Sequence, residues 1–165
     1  MAQLGRAGVH PEGRFLPDTY FLNKGDATSA ILQQALSAMD AALASAWAGR
    51  DSSIPLKSAD ELLIMASIVE KETGIAEERA QIAGVFMRRL QKGMRLETDP
   101  TVIYGIGEAY DGDIRKKDLQ TLTPYNTYRI NGLPPTPIAM PGKAALQATA
   151  HPAAGDALFF MASGD

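Results

Sequence analysis

Apolar residues recur at helical spacing in the first half of the chain, over residues 27–48. The positions that define the pattern are Ile31, Leu32, Ala35, Leu36 and Met39. They fall one, three or four residues apart, which is the spacing of one face of an α-helix. Alanine, leucine and glutamine fill much of the remaining sequence and favour helix formation. The pattern predicts a long helix over residues 27–48.

A second and more strongly apolar helix is predicted for residues 58–73, SADELLIMASIVEKET. Ser58 and Glu61 stand at the spacing of a capping box, so a helix begins there, and Gly74 marks its end. One carboxylate, Glu70, is set into the apolar run. A carboxyl group among aliphatic side chains is held near neutrality, because burial disfavours the charged form. A general acid needs this property, so Glu70 is the first candidate for chemistry.

The helix repeat separates Glu70 from its neighbour Glu72. Glu70 shares a row of positions three and four apart with Ser67 and Gly74, whereas Glu72 shares another row with Ile68. The two rows lie about 200° apart around the helix, so the two glutamates do not form a catalytic pair. From the residues alone, an ordinary ion pair of Glu70 with a neighbouring lysine or a distant arginine is the simpler interpretation.

Three further helices are predicted in the rest of the chain. They cover residues 76–92, 99–104 and 143–150. The second of these opens with Asp99 and Pro100, an N-cap followed by proline at the first helical position. This cap is sufficient to explain Asp99, and the functional alternative is that Asp99 belongs to the polar wall of a cleft.

The remaining segments are predicted to be loops and two strands. Residues 105–123 form a polar connection, and residues 133–142 hold four prolines and form a rigid irregular loop. Alternating side chains predict a strand at residues 125–130, and residues 157–161 form a last strand. Because helices dominate and a small β-sheet is added, the predicted fold class is α+β.

The composition of the chain excludes several classes of protein. With 165 residues, of which 45% are hydrophobic and 21% charged, the chain fits one globular domain. A formal net charge of −3 argues against a nucleic-acid footprint. There is no cysteine, and His10 and His151 stand outside any metal-binding motif, so no metal or other cofactor is expected. No apolar run is long enough to span a bilayer, so this chain is expected to be soluble.

Several polar and aromatic side chains in the second half of the chain are candidates for binding a sugar. Sugar rings require apolar faces on which to stack and polar groups for their hydroxyls. The candidates are Thr98, Asp99, Tyr104, Tyr125, Asn126 and Tyr128. An ordinary edge strand is the alternative for residues 125–128.

Basic residues cluster around the end of the helix predicted for residues 76–92. They are Arg88, Arg89, Lys92 and Arg95. Their spacing is typical of a solvated helix face, and a contact with an anionic substrate is the alternative.

Five sequence strings, in this order, resemble a known family. They are PEGRFLPDTY, ASIVEKET, GVFMRRLQKGMRLETDPTVIYG, TPYNTYRINGLPPTPIAMPG and ATAHP. Together they resemble the catalytic domain of the endolytic murein transglycosylases, the MltG/YceG-like family. The resemblance runs from about Glu12 to the C-terminus. It therefore assigns residues 12–165 to a fragment of the catalytic domain and leaves residues 1–11 as a linker edge.

The resemblance implies a bacterial lyase that acts on nascent peptidoglycan. Such an enzyme cuts the glycan strands at MurNAc–GlcNAc bonds and leaves 1,6-anhydro-MurNAc ends. The resemblance also implies a long active-site groove, and it places the catalytic glutamate of the ASIVEKET motif at Glu70. That residue would serve first as acid and then as base, so no second carboxylate is needed.

The resemblance further implies the setting of the whole protein. Family members are tethered to the inner membrane by an N-terminal helix, which is followed by a LysM-like region, and both are expected to be missing from this chain. The catalytic domain would lie on the periplasmic or extracytoplasmic side. Its expected partners are peptidoglycan glycan strands and peptidoglycan synthases, with no nucleic acid.

The chain departs from the family pattern at three positions. Arg88 and Met140 stand where the family commonly has asparagine, and Glu97 stands where it has glutamine. Glu97 matters most, since it is expected to bring a second carboxylate near the cleft. Two alternatives therefore remain open, a lysozyme-like hydrolase that uses Asp99 or Glu97 as second carboxylate, and a non-catalytic glycan-binding or scaffold module of the cell-wall machinery.

Overall fold

The computed structural model describes residues 1–25 and 27–160. This part of the chain contains six α-helices, two short 3₁₀ turns and no β-strand. The helices are α1 (Thr28–Ala48), α2 (Ala59–Glu72), α3 (Arg79–Gln91), α4 (Asp99–Ile106), α5 (Lys116–Gln120) and α6 (Lys143–Ala150). The 3₁₀ turns are Ala2–Leu4 and Gly107–Ala109.

The predicted α+β fold class is wrong, because neither predicted strand forms. Within residues 125–130 the backbone bonds to itself over short range: the N–H groups of Arg129 and Ile130 both donate to the carbonyl of Asn126. Such turns leave no extended edge for a partner strand. Residues 157–160 form no strand either, and Met161 lies outside the described residues.

Helix α2 begins as its capping residues predict. The Ser58 side chain accepts a hydrogen bond from the Glu61 N–H at 3.2 Å. The Glu61 carboxylate reaches back one residue further than in a standard capping box and accepts from the Lys57 N–H at 2.7 Å. The hydroxyl and carboxylate thus satisfy two backbone donors at the start of the helix.

Helix α2 is also the centre of the fold. Its eight consecutive residues 62–69 are all buried, which is typical of a helix that is apolar all round and enclosed by others. Helices α1, α3, α4 and α6 all contact it. The core cluster includes Leu62, Leu63 and Met65 from α2 and Leu146 from α6, each no more than 1% exposed.

The segment after α6 packs closely against α3. The Ala153 N–H donates to the Ala80 carbonyl at 2.8 Å. A Cβ added to Gly84 would lie only 2.4 Å from the Ala153 carbonyl oxygen. A glycine at this position therefore permits the close approach of the two backbones.

Two details of the second half differ from the sequence predictions. Thr98 rather than Asp99 is the N-cap of α4, and Asp99 is its first helical residue. The predicted polar connection contains a short helix, α5. At its start the Arg115 N–H donates to the Asp118 carboxylate at 2.9 Å, so a local cap stabilises this turn.

The basic cluster is only partly a solvated face: Lys92 and Arg95 are exposed, whereas Arg88 is half-buried and Arg89 is buried. Arg89 is only 6% exposed, and its guanidinium donates to the carbonyls of Leu96 and Leu158. Arg88 donates to the carbonyls of Ala153 and Ala157. These two arginines tie the segments around residues 95–97 and 153–158 to α3, which side-chain spacing along one helix does not reveal.

Among the helices of residues 1–25 and 27–160, none combines the length and the apolar character needed to cross a membrane.

Candidate functional site

Glu70 lies near the C-terminal end of α2, where its row of positions meets the proline-rich loop 133–142. The Ser67 hydroxyl accepts a hydrogen bond from the Ile138 N–H at 3.0 Å. One turn further on, Glu70 Oε2 accepts from the Gly142 N–H at 2.9 Å. Two polar side chains on one helix face thus hold one loop in place.

The Glu70 carboxylate is fixed by one oxygen only. Its donor, Gly142, is the N-cap residue of α6, so Oε2 is held by the main chain at the start of that helix. Over the described residues, Oε1 has no hydrogen-bond partner and Glu70 forms no ion pair. An ion pair with Lys71 or an arginine is therefore not what this structure contains.

Tyr104 and Tyr125, both candidates for sugar binding, pack on each other. Their ring centroids lie 4.9 Å apart with an angle of 55° between the planes. The Tyr125 hydroxyl is 2.8 Å from the Thr136 hydroxyl, and the Tyr104 hydroxyl donates to the Glu12 carboxylate at 3.4 Å. Because Thr136 belongs to the loop that contacts Glu70, the two rings are anchored to the same loop.

Residues near the N-terminus also contact this loop, which the sequence did not indicate. The Gly13 N–H donates to Met140 Sδ at 3.2 Å. Gly13 has a φ of +78°, and a Cβ there would lie 2.6 Å from Pro137 Cβ. Only glycine combines this backbone conformation with so close a contact. The glycine of the Pro11-Glu12-Gly13 tripeptide is therefore the sequence signal for the contact between this segment and the loop.

Glu72 is part of a second polar cluster. The Thr98 hydroxyl donates to Glu72 Oε1, and the Tyr128 hydroxyl donates to Asp99 Oδ1 at 2.6 Å. Burial, with a smaller contribution from Asp99, raises the pKa of Glu72 above its ordinary range, while the bond from Thr98 opposes this. Burial and the bond to Asp99 also raise the pKa of Tyr128, which therefore keeps its proton.

Asn126 is engaged in the fold. It is 1% exposed, and its amide nitrogen donates to the carbonyls of Asp118, Leu119 and Thr121 at 2.7 to 3.1 Å. These contacts close the turn after α5. A role of Asn126 in substrate binding stays a prediction, and its contacts favour a role in holding the loop that carries Tyr125 and Tyr128.

The two carboxylates considered for a hydrolase already have partners. Glu97 lies 3.3 Å from the Arg89 guanidinium, and its backbone has a φ of +52°. Asp99 accepts a hydrogen bond from the Tyr128 hydroxyl. Both therefore belong to the Glu72 side of the site.

The open space of the site lies beside Glu72. A cavity of about 570 Å³ is bounded by α3 and by residues 153–160, and Glu72 is one of its walls, whereas Glu70 is not. The polar and aromatic walls are Glu72, Glu78, Gln81, Arg88, Asp156, Phe159 and Phe160. Within residues 1–25 and 27–160 there is no group of three or more metal-binding side chains.

Over the described residues, the helical fold brings Glu70 and Tyr125 onto the same loop, 133–142. The sequence model of the YceG-like family matches residues 2–165, and the chain belongs to this family. It is 38% identical over 154 residues to an endolytic murein transglycosylase of Bacillus subtilis strain 168, and 32% identical over 157 residues to one of Streptococcus pneumoniae strain D39.

A solved structure has the same fold. The crystal structure of a YceG-like protein of Listeria monocytogenes matches with a TM-score of 0.79 and 37% sequence identity. The match covers 97% of this chain and 52% of the Listeria chain. The match to the Bacillus transglycosylase covers 93% of this chain and 42% of that protein. The match to the Streptococcus transglycosylase covers 92% of this chain and 28% of that protein.

Proposed function

We propose that this chain is the catalytic part of an endolytic lytic transglycosylase that cleaves MurNAc–GlcNAc bonds in peptidoglycan glycan strands. Membership of the YceG-like family supports this, as do the names of the two bacterial relatives. The structural observation that carries the proposal is the Glu70 carboxylate. It is held by one oxygen at the start of α6, and its second oxygen has no partner in the described chain.

In the proposed mechanism, Glu70 works twice. As an acid, its carboxyl group donates its proton to the glycosidic oxygen while the bond from that oxygen to C1 of MurNAc breaks. The resulting carboxylate then takes the proton of the C6 hydroxyl of the same MurNAc. O6 attacks C1, and a 1,6-anhydro ring closes. The proton returns to Glu70, and no water is consumed.

The surrounding residues have proposed roles in binding and charge stabilisation. The Gly142 N–H holds Oε2, so the carboxylate keeps one orientation through both steps. Tyr104, Tyr125 and Tyr128 offer ring faces to the sugars. The positive charge that develops at C1 is stabilised by the Glu70 carboxylate itself. On the Glu72 side, the exposed Asp99 offers a carboxylate oxygen to the strand, and Thr98, which is 2% exposed, positions Glu72.

The product test uses purified glycan strands and mass spectrometry. We expect the chain to release fragments with anhydro ends, which lack one water relative to reducing ends. Glu70→Gln should lower cleavage about 10²- to 10⁴-fold, the usual contribution of general acid–base catalysis. The matched control is Glu77→Gln, an exposed glutamate close by, and it should cleave as the unaltered chain does.

The same test separates the alternatives. A lysozyme-like hydrolase would give reducing ends only. A non-catalytic binding module would retain strands without cutting them, and Glu70→Gln would leave that binding intact. Either result would contradict the proposal.

The whole protein is proposed to be anchored in the inner membrane by an N-terminal helix outside this chain, with peptidoglycan synthases as neighbours. This setting is what the family resemblance implies, and it accords with the chain spanning less than half of its curated relatives. Fractionation of cells that express the whole gene tests it, since recovery of the protein outside the membrane fraction would contradict it.

A further inference from the structure

The cavity beside α3 combines walls from three parts of the chain. Gln81, Val85 and Arg88 come from α3, Glu72 comes from the end of α2, and Phe159 comes from the segment after α6. Its volume of about 570 Å³ is within the range of ligand pockets. The Ala153 backbone packs against Gly84 and so fixes the distance between α3 and the segment after α6, which are the two long walls of the cavity.

Two carboxylates line this cavity, and each is anchored by one oxygen. Thr98 donates to Glu72 Oε1, and Thr73 donates to Glu78 Oε2 at 2.7 Å. Within the described residues the other oxygen of each carboxylate makes no hydrogen bond. These oxygens are acceptors for donors on a ligand, such as hydroxyl or amide groups.

The apolar part of the cavity is aromatic and held in place. Phe160 packs edge-on against Phe86 with ring centroids 5.5 Å apart. The Arg89 guanidinium lies 4.6 Å from the Phe159 ring centre. Phe159 is nevertheless 67% exposed and Phe160 39%, so both rings retain surface for a ligand. Ring faces beside hydrogen-bond acceptors suit a pyranose, whose faces are apolar and whose edge carries hydroxyls.

The charges of the cavity favour a neutral ligand over an anionic one. Glu72, Glu78 and Asp156 all line it. Among the described residues that line it, the one arginine is Arg88, which already donates to the carbonyls of Ala153 and Ala157. The carboxylates of a stem peptide would therefore meet repulsion that an N-acetylated sugar does not meet.

We propose that this cavity is a sugar subsite, which binds an N-acetylhexosamine unit of the glycan strand some way along from the bond that Glu70 cleaves. Phe159 stacks on the ring, and Glu72 and Glu78 accept hydrogen bonds from its polar edge. Glu70 and Glu72 both lie in the last turn of α2, on different faces, so a strand that passes around the C-terminal end of this helix contacts both sides. The inference rests on the proposed function.

The test measures binding of peptide-free glycan strands to the 165-residue chain carrying Glu70→Gln, so that the probe is not consumed. Gln81→Trp fills the mouth of the cavity from an exposed helix position, and Phe159→Ala removes the ring. Each should weaken binding about three- to tenfold, the contribution of one aromatic contact. In the chain with Glu70 intact, each should raise KM by a similar factor and leave kcat unchanged.

The matched controls are Gln34→Trp on α1 and Phe21→Ala, both at exposed positions outside the cavity. Both should bind and cleave as the unaltered chain does. Circular dichroism checks that all four variants keep their helix content. A loss of binding in the controls equal to that in the cavity variants would overturn the inference.

The remaining outcomes distinguish the inference from the proposed function. If the chain cleaves strands but the cavity variants bind and cleave normally, the inference fails and the function stands. If strands bind through the cavity but are never cleaved, the function fails and the sugar site stands. If only strands with stem peptides bind, the cavity recognises peptide and the inference is wrong.

Discussion

Glu70 and Glu72 are two residues apart on one helix and meet different surroundings. Glu70 is held by a backbone N–H at the start of α6. Glu72 is held by a threonine hydroxyl, lies at the wall of a cavity, and has a pKa raised by burial. The first carboxylate is fixed by the main chain, while the second belongs to a network of side chains.

The difference shows that burial and the sequence motif indicate different residues as the catalytic acid. A raised pKa in a cavity is a general sign of a functional acid, and it singles out Glu72. The family motif singles out Glu70, whose firm anchor and unpartnered oxygen suit repeated proton transfer. The proposals above give the chemistry to Glu70 and sugar binding to Glu72, and the following experiments contrast the two.

The largest effect is expected from changing each glutamate in turn. Glu70→Gln should lower kcat about 10²- to 10⁴-fold, because the group that transfers the proton is lost. Glu72→Gln should lower kcat/KM about tenfold or less, mostly through KM, since a glutamine still accepts hydrogen bonds. Steady-state kinetics on glycan strands measure both. A larger loss of kcat in Glu72→Gln than in Glu70→Gln would reverse the assignment.

Ser67→Ala should affect the Glu70 side alone. The change leaves the buried Ile138 N–H without its acceptor, which costs up to about 3 kcal/mol. Because Ser67 and Glu70 hold the same loop, kcat should fall as well. Urea denaturation and strand cleavage measure the two effects, with the exposed Ser45→Ala as control. Unchanged stability would show that the loop does not depend on α2 for its position.

Gly84→Ala should affect the Glu72 side alone. Alanine favours a helix by about 1 kcal/mol over glycine, but here its Cβ would meet the Ala153 carbonyl. Overpacking costs typically about 1 to 3 kcal/mol, and a backbone atom yields little, so a net loss of about 2 kcal/mol is expected. Thermal unfolding measures it. A variant more stable than the unaltered chain would mean that the segment after α6 moves freely away from α3.

The smallest effect concerns the pH dependence of stability. Because folding raises the pKa of Glu72 above the ordinary 4.5, the folded chain holds this proton more tightly than the unfolded chain does. This contribution is complete below the unfolded pKa and is lost as pH rises through the folded one. Glutamine at this position does not titrate, so Glu72→Gln should gain stability relative to the unaltered chain as the pH rises above the ordinary 4.5.

Urea denaturation of the unaltered chain and of Glu72→Gln at a series of pH values measures this gain in stability. The same series with Glu77→Gln is the control for removing an exposed carboxylate. A stability difference that stays constant with pH would contradict the environment assigned to Glu72.

Much of the helical structure follows from local pattern. The predictions for α1, α2, α3 and α6 are confirmed to within a few residues, because periodicity and capping depend on neighbours along the chain. Strand formation depends on a partner that the local sequence does not contain. Residues 125–128 alternate in the sequence but form a turn in the structure. The Asn126 side chain donates to the carbonyls of Asp118 and Thr121, and such local bonds compete with the hydrogen bonds of a β-sheet.

The sequence by itself determined that Glu70 and Glu72 share a helix and face different ways, since the helix repeat alone requires it. Only the tertiary structure decided what each one meets. The partner of Glu70 is Gly142, 72 positions away, and the partner of Glu72 is Thr98, 26 positions away. Such contacts arise from the packing of the proline-rich loop and of α4 on α2, and no local pattern encodes that packing.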